Sequence, residues 1–188
     1  NMLPSTFIML RDPVERAVSL YYERVYPRDD LGGMKINEWS EEDFRWLLRE
    51  FKGSAWGMYR DEGMCNTLCK MLLGREHYKG RKGEEVNYNR KEVIFTREDV
   101  EEGKRRLGEC VVGLQGDWEG SKMLIRNYFP WLTFVDDMRI NTGMGKGAEK
   151  TDDLRSELRD ALINCNECDY ELYEFGKRRF EELKSLKR

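Results

Sequence analysis

Thr6-Phe7-Ile8-Met9-Leu10-Arg11-Asp12-Pro13-Val14-Glu15-Arg16-Ala17-Val18-Ser19-Leu20-Tyr21-Tyr22 reads as a strand, a turn and a helix. Thr6–Leu10 is a short, continuous apolar run, the pattern of a strand buried on both faces in a parallel sheet. Asp12-Pro13 predicts a helix start, with Asp as the N-cap and Pro at the first helical position. Val14, Ala17, Val18, Tyr21, Tyr22 and Val25 then recur at spacings of three and four and form one apolar stripe. Pro27 and Asp29–Gly33 end the element. In parallel sheets ligands bind beyond the carboxyl ends of the strands, where Arg11 falls. The helix N-terminus beside it carries partial positive charge, and Ser19 lies about two turns in, on the flank of the stripe. A guanidinium fork and a hydroxyl suit a phosphate. Spacing alone favours the plainer alternative, an Arg–Asp surface pair and a helix serine.

Working outward, Ser40-Glu41-Glu42-Asp43 resembles a capping box, with Phe44, Leu47, Leu48 and Phe51 as the buried face of a second helix. A third helix is expected from about Cys65 to Leu73, stopped by Gly74. His77–Tyr88 is polar and Gly-rich, an exposed loop. A short strand is expected at Val93–Phe95, a helix from Thr96 to near Gly108, and a better strand at Cys110–Leu114. Trp118, Ser121, Leu124, Ile125, Tyr128 and Phe129 fit a helix closed by Pro130; Trp118 and Trp131 bracket it and are expected in the core. Leu132–Val135 is a further strand candidate, and Asn141–Lys150 a loop. Thr151 is expected to cap a helix bearing Leu154, Leu158, Ala161 and Leu162. A last helix from about Asp169 carries Leu172, Tyr173, Phe180, Leu183 and Leu186. Strands alternating with helices predict an α/β class, rich in helix. A chain of 188 residues with 39% hydrophobic content suits a single domain spanning residues 1–188.

Lys and Arg number 33 against 36 Asp and Glu, a net charge of −3, which argues against a broad nucleic-acid surface. An anionic ligand would have to be gripped by local groups. No apolar run approaches the length of a membrane span, and no signal peptide is visible. The chain opens at Asn1 without an initiator methionine, so an N-terminally trimmed domain is expected. Among five cysteines, Cys65 and Cys69 can share a helix face, and Cys165 and Cys168 form C-x2-C. The latter pair suits a local disulfide or two half-buried thiols. A zinc site would need four ligands converging from distant pairs, without a His-rich partner, so no metal is expected.

The segment Phe7–Tyr22 resembles the 3′-phosphate-binding motif of sulfotransferases, an apolar strand followed by R-[DE]-P-x-x-R-x-x-S and an aromatic-rich continuation. It is most similar to that of the membrane-associated Golgi enzymes that sulfate glycans, including the heparan sulfate 2-O- and 6-O-sulfotransferases. Cys110–Leu132 and Asn166–Phe180 resemble later segments of the same family more weakly. The resemblance implies a P-loop-like parallel sheet flanked by helices. It implies 3′-phosphoadenosine 5′-phosphosulfate as donor, bound through its 3′-phosphate by Arg11 and Ser19 with Arg16 in support, and a glycan or proteoglycan acceptor. It also implies a Golgi-lumenal type II protein whose anchor lies outside this chain. The family's phosphosulfate loop, with the lysine that stabilises the leaving phosphate, and its catalytic base usually precede this motif. With ten residues before Arg11, no catalytic residue is assigned, and the chain is expected to hold the 3′-phosphate half of the site.

Lys146, in Asn141-Thr-Gly-Met-Gly-Lys-Gly147, is a candidate donor contact, because the family covers the nucleotide with a late loop; a surface loop is the alternative. His77 is the sole histidine, but no orienting partner is visible for a general base. Trp56 is the best candidate for an exposed ring that stacks on sugar. The competing readings are an inactive nucleotide-binding or protein-interaction domain and a protein-tyrosine sulfotransferase.

Overall fold

Two short apolar runs form the sheet. In a computed structural model, which describes residues 5–26, 33–50, 64–73, 95–132 and 149–186, β1 (Phe7–Leu10) pairs in parallel with β2 (Val111–Leu114). Phe7 stands opposite Val111 and Leu10 opposite Leu114. Parallel pairing requires a long crossover, and here the chain passes through α1 (Pro13–Arg24), α2 (Glu41–Glu50), α3 (Thr67–Leu73) and α4 (Arg97–Gly108) before β2. α5 (Trp118–Tyr128), α6 (Ser156–Cys165) and α7 (Glu167–Ser185) follow, with 3-10 turns at Ile36–Glu38 and Thr151–Asp153. The described residues are therefore helix-rich α/β, with seven α-helices and one two-stranded parallel sheet. Of the other predicted strands, Phe95 and Leu132 are in no strand, and residues 93, 94 and 133–135 lie outside the described set.

The chain divides into two compact units, each assembled from separated stretches of sequence. The first comprises Asn1–Arg11, Leu68–Met138 and Cys168–Arg188; the second comprises Asp12–Thr67 and Arg139–Glu167.

In the first unit Leu10, Val111 and Val112 pack with Leu107, Leu124, Ile125, Phe129 and Phe180. β1 is not the doubly buried strand its composition suggests: only Leu10 is buried, whereas Val111, Val112 and Gly113 of β2 all are. Among the described residues β1 has a strand on one side only, so part of its surface stays open. Close backbone approaches set the spacing of this unit. A Cβ on Gly113 would lie 2.5 Å from Phe7 Cζ and 3.0 Å from Ser121 Oγ, and one on Gly176 of α7 would strike Leu10 Cδ1. α4 starts at the predicted Thr96, with a capping box: Asp99 N donates to Thr96 Oγ1 at 3.2 Å and Thr96 N to Asp99 Oδ2 at 2.8 Å. α5 is capped by Asp117, whose Oδ1 accepts from Gly120 N at 2.9 Å.

Two expectations fail at the ends of these helices. Trp118 and Trp131 are 48% and 68% exposed rather than in the core. They flank the packed face of α5, which is made by Ser121, Leu124, Ile125 and Tyr128. Leu186, 70% exposed, lies one residue past the end of α7 and off its buried stripe.

In the second unit the whole predicted stripe of α1 is buried. Ser40 caps α2, accepting from Asp43 N at 3.1 Å and donating to Asp43 Oδ2 at 2.6 Å, and Phe44, Leu47 and Leu48 face inward. α6 lies against α1 and α2 through Leu158, Ala161 and Leu162. It begins at Ser156, not at Thr151. Asn37 explains the delay: its Nδ2 donates to Asp153 O and its Oδ1 accepts from Arg155 N, both at 2.8 Å, which holds Leu154 extended between them. α3 likewise starts at Thr67 instead of Cys65. Asn66 adopts a left-handed φ of 49°, and its N–H is taken by Asn166 Oδ1 at 2.9 Å. The last helix starts at Glu167, two residues before the expected Asp169.

Candidate functional site

The strand–turn–helix predicted for Phe7–Tyr22 is present. Leu10 ends β1 with its carbonyl accepting from Gln115 N at 2.8 Å, and Arg11 follows at the carboxyl end of the strand, half-buried. Asp12 caps α1 and Pro13 occupies its first position. The cap changes the electrostatics assumed for an anion. Asp12 Oδ1 accepts from Val14 N at 2.9 Å and from Glu15 N at 3.1 Å, so the chain's own carboxylate takes the place that a phosphate would take at this helix N-terminus. Anion binding in this segment therefore rests on side chains.

Arg11 belongs to the first unit, while Arg16 and Ser19 belong to the second. Arg16 is engaged structurally, donating from Nη2 to Thr67 Oγ1 at 2.6 Å and to Met64 O at 3.3 Å. That ties α1 to Met64 and to Thr67, the first residue of α3. Ser19 is half-buried, one turn from Arg16 and away from the apolar stripe of α1. Lys146, His77 and Trp56 lie outside the described residues.

The aromatic continuation does more than fill a core. Tyr21 hydroxyl donates to Met34 O at 2.5 Å and accepts from Trp39 Nε1 at 2.6 Å. Tyr22 hydroxyl donates to Glu149 Oε2 at 2.7 Å, and the same carboxylate oxygen accepts from Asn37 N at 3.1 Å. Burial pushes the Tyr21 phenol up to about 12, with the Trp39 indole working against that shift. Tyr22 is also raised above its usual range, by burial and then by Glu149. Both phenols stay protonated at neutral pH and act as fixed donors. This network was missed because the tyrosines already satisfied the stripe, and their partners lie up to 127 residues away.

Cys110–Leu132 is organised around Ser121. Ser121 is fully buried; its Oγ accepts from Leu114 N at 2.8 Å and lies 2.9 Å from Leu114 O and 2.8 Å from Asp117 O. It closes the end of β2 onto α5, and Gly113 leaves room for it.

Cysteine pairing differs from the local C-x2-C possibility. Cys65 and Cys165 form a disulfide with Cα atoms 5.1 Å apart, closing a separation of 100 residues. Adjacent Asn66 and Asn166 reinforce the same junction, Asn166 also donating to Leu162 O at 2.9 Å. Cys69, Cys110 and Cys168 are reduced. No group of three or more His, Cys, Asp or Glu among the described residues is placed to hold a metal ion, and no described helix is long and apolar enough to cross a membrane.

Compared with protein-family models, curated proteins and solved structures, the chain matches none.

Proposed function

We propose that this chain supplies the 3′-phosphate-binding half of the donor site of a glycan sulfotransferase with a P-loop-like fold, and that the donor is 3′-phosphoadenosine 5′-phosphosulfate. The observation that carries the reading is the placement of R-D-P-x-x-R-x-x-S: Arg11 at the carboxyl end of a strand in a parallel pair, a Pro-started helix next, and Ser19 two turns along it, outside the buried stripe. In this reading the Arg11 guanidinium forks onto the 3′-phosphate and Ser19 donates its hydroxyl. Arg16 positions the helix through Thr67 and Met64 rather than binding the anion. The reaction served is transfer of a sulfuryl group to an acceptor hydroxyl, with a general base removing the hydroxyl proton. Arg11 and Ser19 contribute donor affinity and orientation. This reading assigns the full-length protein, by its resemblance to the glycan-sulfating enzymes, to the Golgi lumen as a type II membrane protein, with a proteoglycan or other glycan as acceptor.

Calorimetric titration with adenosine 3′,5′-bisphosphate and with adenosine 5′-phosphate tests the assignment. The bisphosphate is expected to bind more tightly. Arg11→Ala should weaken it by about 10- to 100-fold, the loss of a charge-assisted contact, and Ser19→Ala by roughly 5-fold, the loss of a neutral one, with little change for the monophosphate. Equal affinity for the two nucleotides, or equal binding by parent and Arg11→Ala, overturns the phosphate assignment.

A further inference from the structure

The first unit brings two reduced thiols together where α3 meets α7. Cys69 is fully buried on α3 in a cluster with Leu73, Val100 and Leu172, and half-buried Cys168, on α7, packs against that cluster. Cys168 is thereby a packing neighbour of Cys69 across the α3–α7 contact. The backbone is held in register for this contact. Asp169, next to Cys168 and 1% exposed, accepts from Leu68 N on Oδ2 and from Cys69 N on Oδ1, each at 2.8 Å. Asp169 thus takes up the leading amides of α3 and pins the Cys69 backbone against the first turn of α7.

We propose that Cys69 and Cys168 are a disulfide site, oxidised to a second cystine in the environment that maintains Cys65–Cys165. A structural disulfide persists only where the surroundings are oxidising, and the Cys65–Cys165 bond shows that this chain carries one. The second pair repeats its order along the chain, four residues after Cys65 and three after Cys165. The reaction is thiol–disulfide exchange with a small-molecule or protein disulfide as oxidant. The Cys168 thiolate attacks one sulfur of the oxidant and expels the other as a thiolate. Cys69 then loses its proton and attacks Cys168 Sγ, forming Cys69–Cys168 and releasing the second oxidant sulfur. Two protein thiols are oxidised, one disulfide is reduced to two thiols, and the two protons go with them. The neighbouring Cys168 side chain, followed by burial, pushes the Cys69 thiol above its ordinary value. Cys168, half-buried where Cys69 is fully buried, is the side that an oxidant reaches first.

The test is peptide mapping of the full 188-residue chain. Folded protein is treated with oxidised glutathione near pH 8, quenched in acid, unfolded, alkylated and digested without reduction. Chymotrypsin cuts after Leu68 and a glutamate-specific protease after Glu167, so the four cysteines separate onto different peptides. Alkylated positions are expected to fall from three to Cys110 alone, with a linked Cys69–Cys168 peptide beside Cys65–Cys165. In Cys168→Ser, Cys69 should remain alkylated and Cys65–Cys165 should remain linked. Full alkylation of Cys69 and Cys168 in oxidised parent protein, or linkage of either to Cys65 or Cys165, overturns the proposal, and that mapping of the parent does not depend on any variant folding.

Discussion

The two units are built by different means. The first is an apolar core whose spacing is set by absent side chains: Gly113 admits Phe7 and Ser121, Gly176 admits Leu10, and Gly103 leaves a Cβ position 3.0 Å from Leu172 Cδ2. The second is fastened by groups that reach across long stretches of sequence, namely the Cys65–Cys165 disulfide, Asn37 to Asp153 and Arg155, and Tyr22 to Glu149. Tolerance to change should differ accordingly. The glycine contacts of the first unit should suffer when atoms are added, and the long-range ties of the second when atoms are removed.

The largest expected effect is on the second unit. Cys165→Ser should destabilise the protein by about 2–5 kcal/mol, because the disulfide closes a long loop, and reducing the parent should match it; the denaturant midpoint measures both. An unchanged midpoint would show that the side-chain network holds the segment unaided. Next, Gly176→Val should cost about 3 kcal/mol, the upper range for overpacking, since the new Cβ strikes Leu10. The same substitution at Gly116, where a Cβ would meet nothing within 4 Å, provides the control. Ser121→Ala removes the acceptor for Leu114 N and should cost about 1–3 kcal/mol, read by the same unfolding curves. Asn37→Ala should cost about 1 kcal/mol, as its bonds are exposed, and should lower amide-exchange protection at Arg155 first.

The smallest effect is electrostatic. The Lys184 ammonium, 2.9 Å from Asp117 Oδ2, and then the Gly120 N–H hold the Asp117 carboxyl below its usual value of 3.8. A depressed folded-state value means that the contribution is present above the unfolded value and is lost as pH falls through the folded one. The pair is partly exposed, with Asp117 at 41%, so it is worth under about 1 kcal/mol. Asp117→Asn keeps a good N-cap but loses the charge. Its stability deficit against the parent should be visible at pH 6 and should shrink below pH 3.8; a deficit independent of pH would assign the effect to the cap alone.

What was legible in the sequence follows the same division. Local rules predicted both strands, the Asp12-Pro13 start, the α1 stripe, the box at Ser40 and the helix start at Thr96, because each depends on residues within a turn or two. Two helix starts moved where a distant partner overrides local preference. Thr151 is a good cap by composition, yet Asn37 holds the following residues extended and moves the helix start to Ser156. Asn66 shortens α3 because Asn166 takes its amide. The doubled spacing of Cys65/Cys69 and Cys165/Cys168 was visible, but pairing between the two sets needed coordinates. At the candidate site, Arg11 and Ser19 were identified from their motif, whereas Arg16's bond to Thr67 and Asp12's occupation of the helix terminus arise from the folded chain.

The Cys65–Cys165 bond also imposes a timetable on biosynthesis. Cys165 is made 100 residues after its partner, an interval of about 5–20 s at ribosomal rates of about 5–20 residues per second. Throughout that interval α1 and α2 have emerged with their buried faces complete, while α6, which covers both, does not yet exist. The nascent chain must therefore carry the α6-facing parts of α1 and α2 uncovered, and an unpaired Cys65, past every cysteine synthesised in between. That makes Cys69 and Cys110 the first wrong partners it meets, and makes disulfide isomerisation a foreseeable requirement of the folding of this chain.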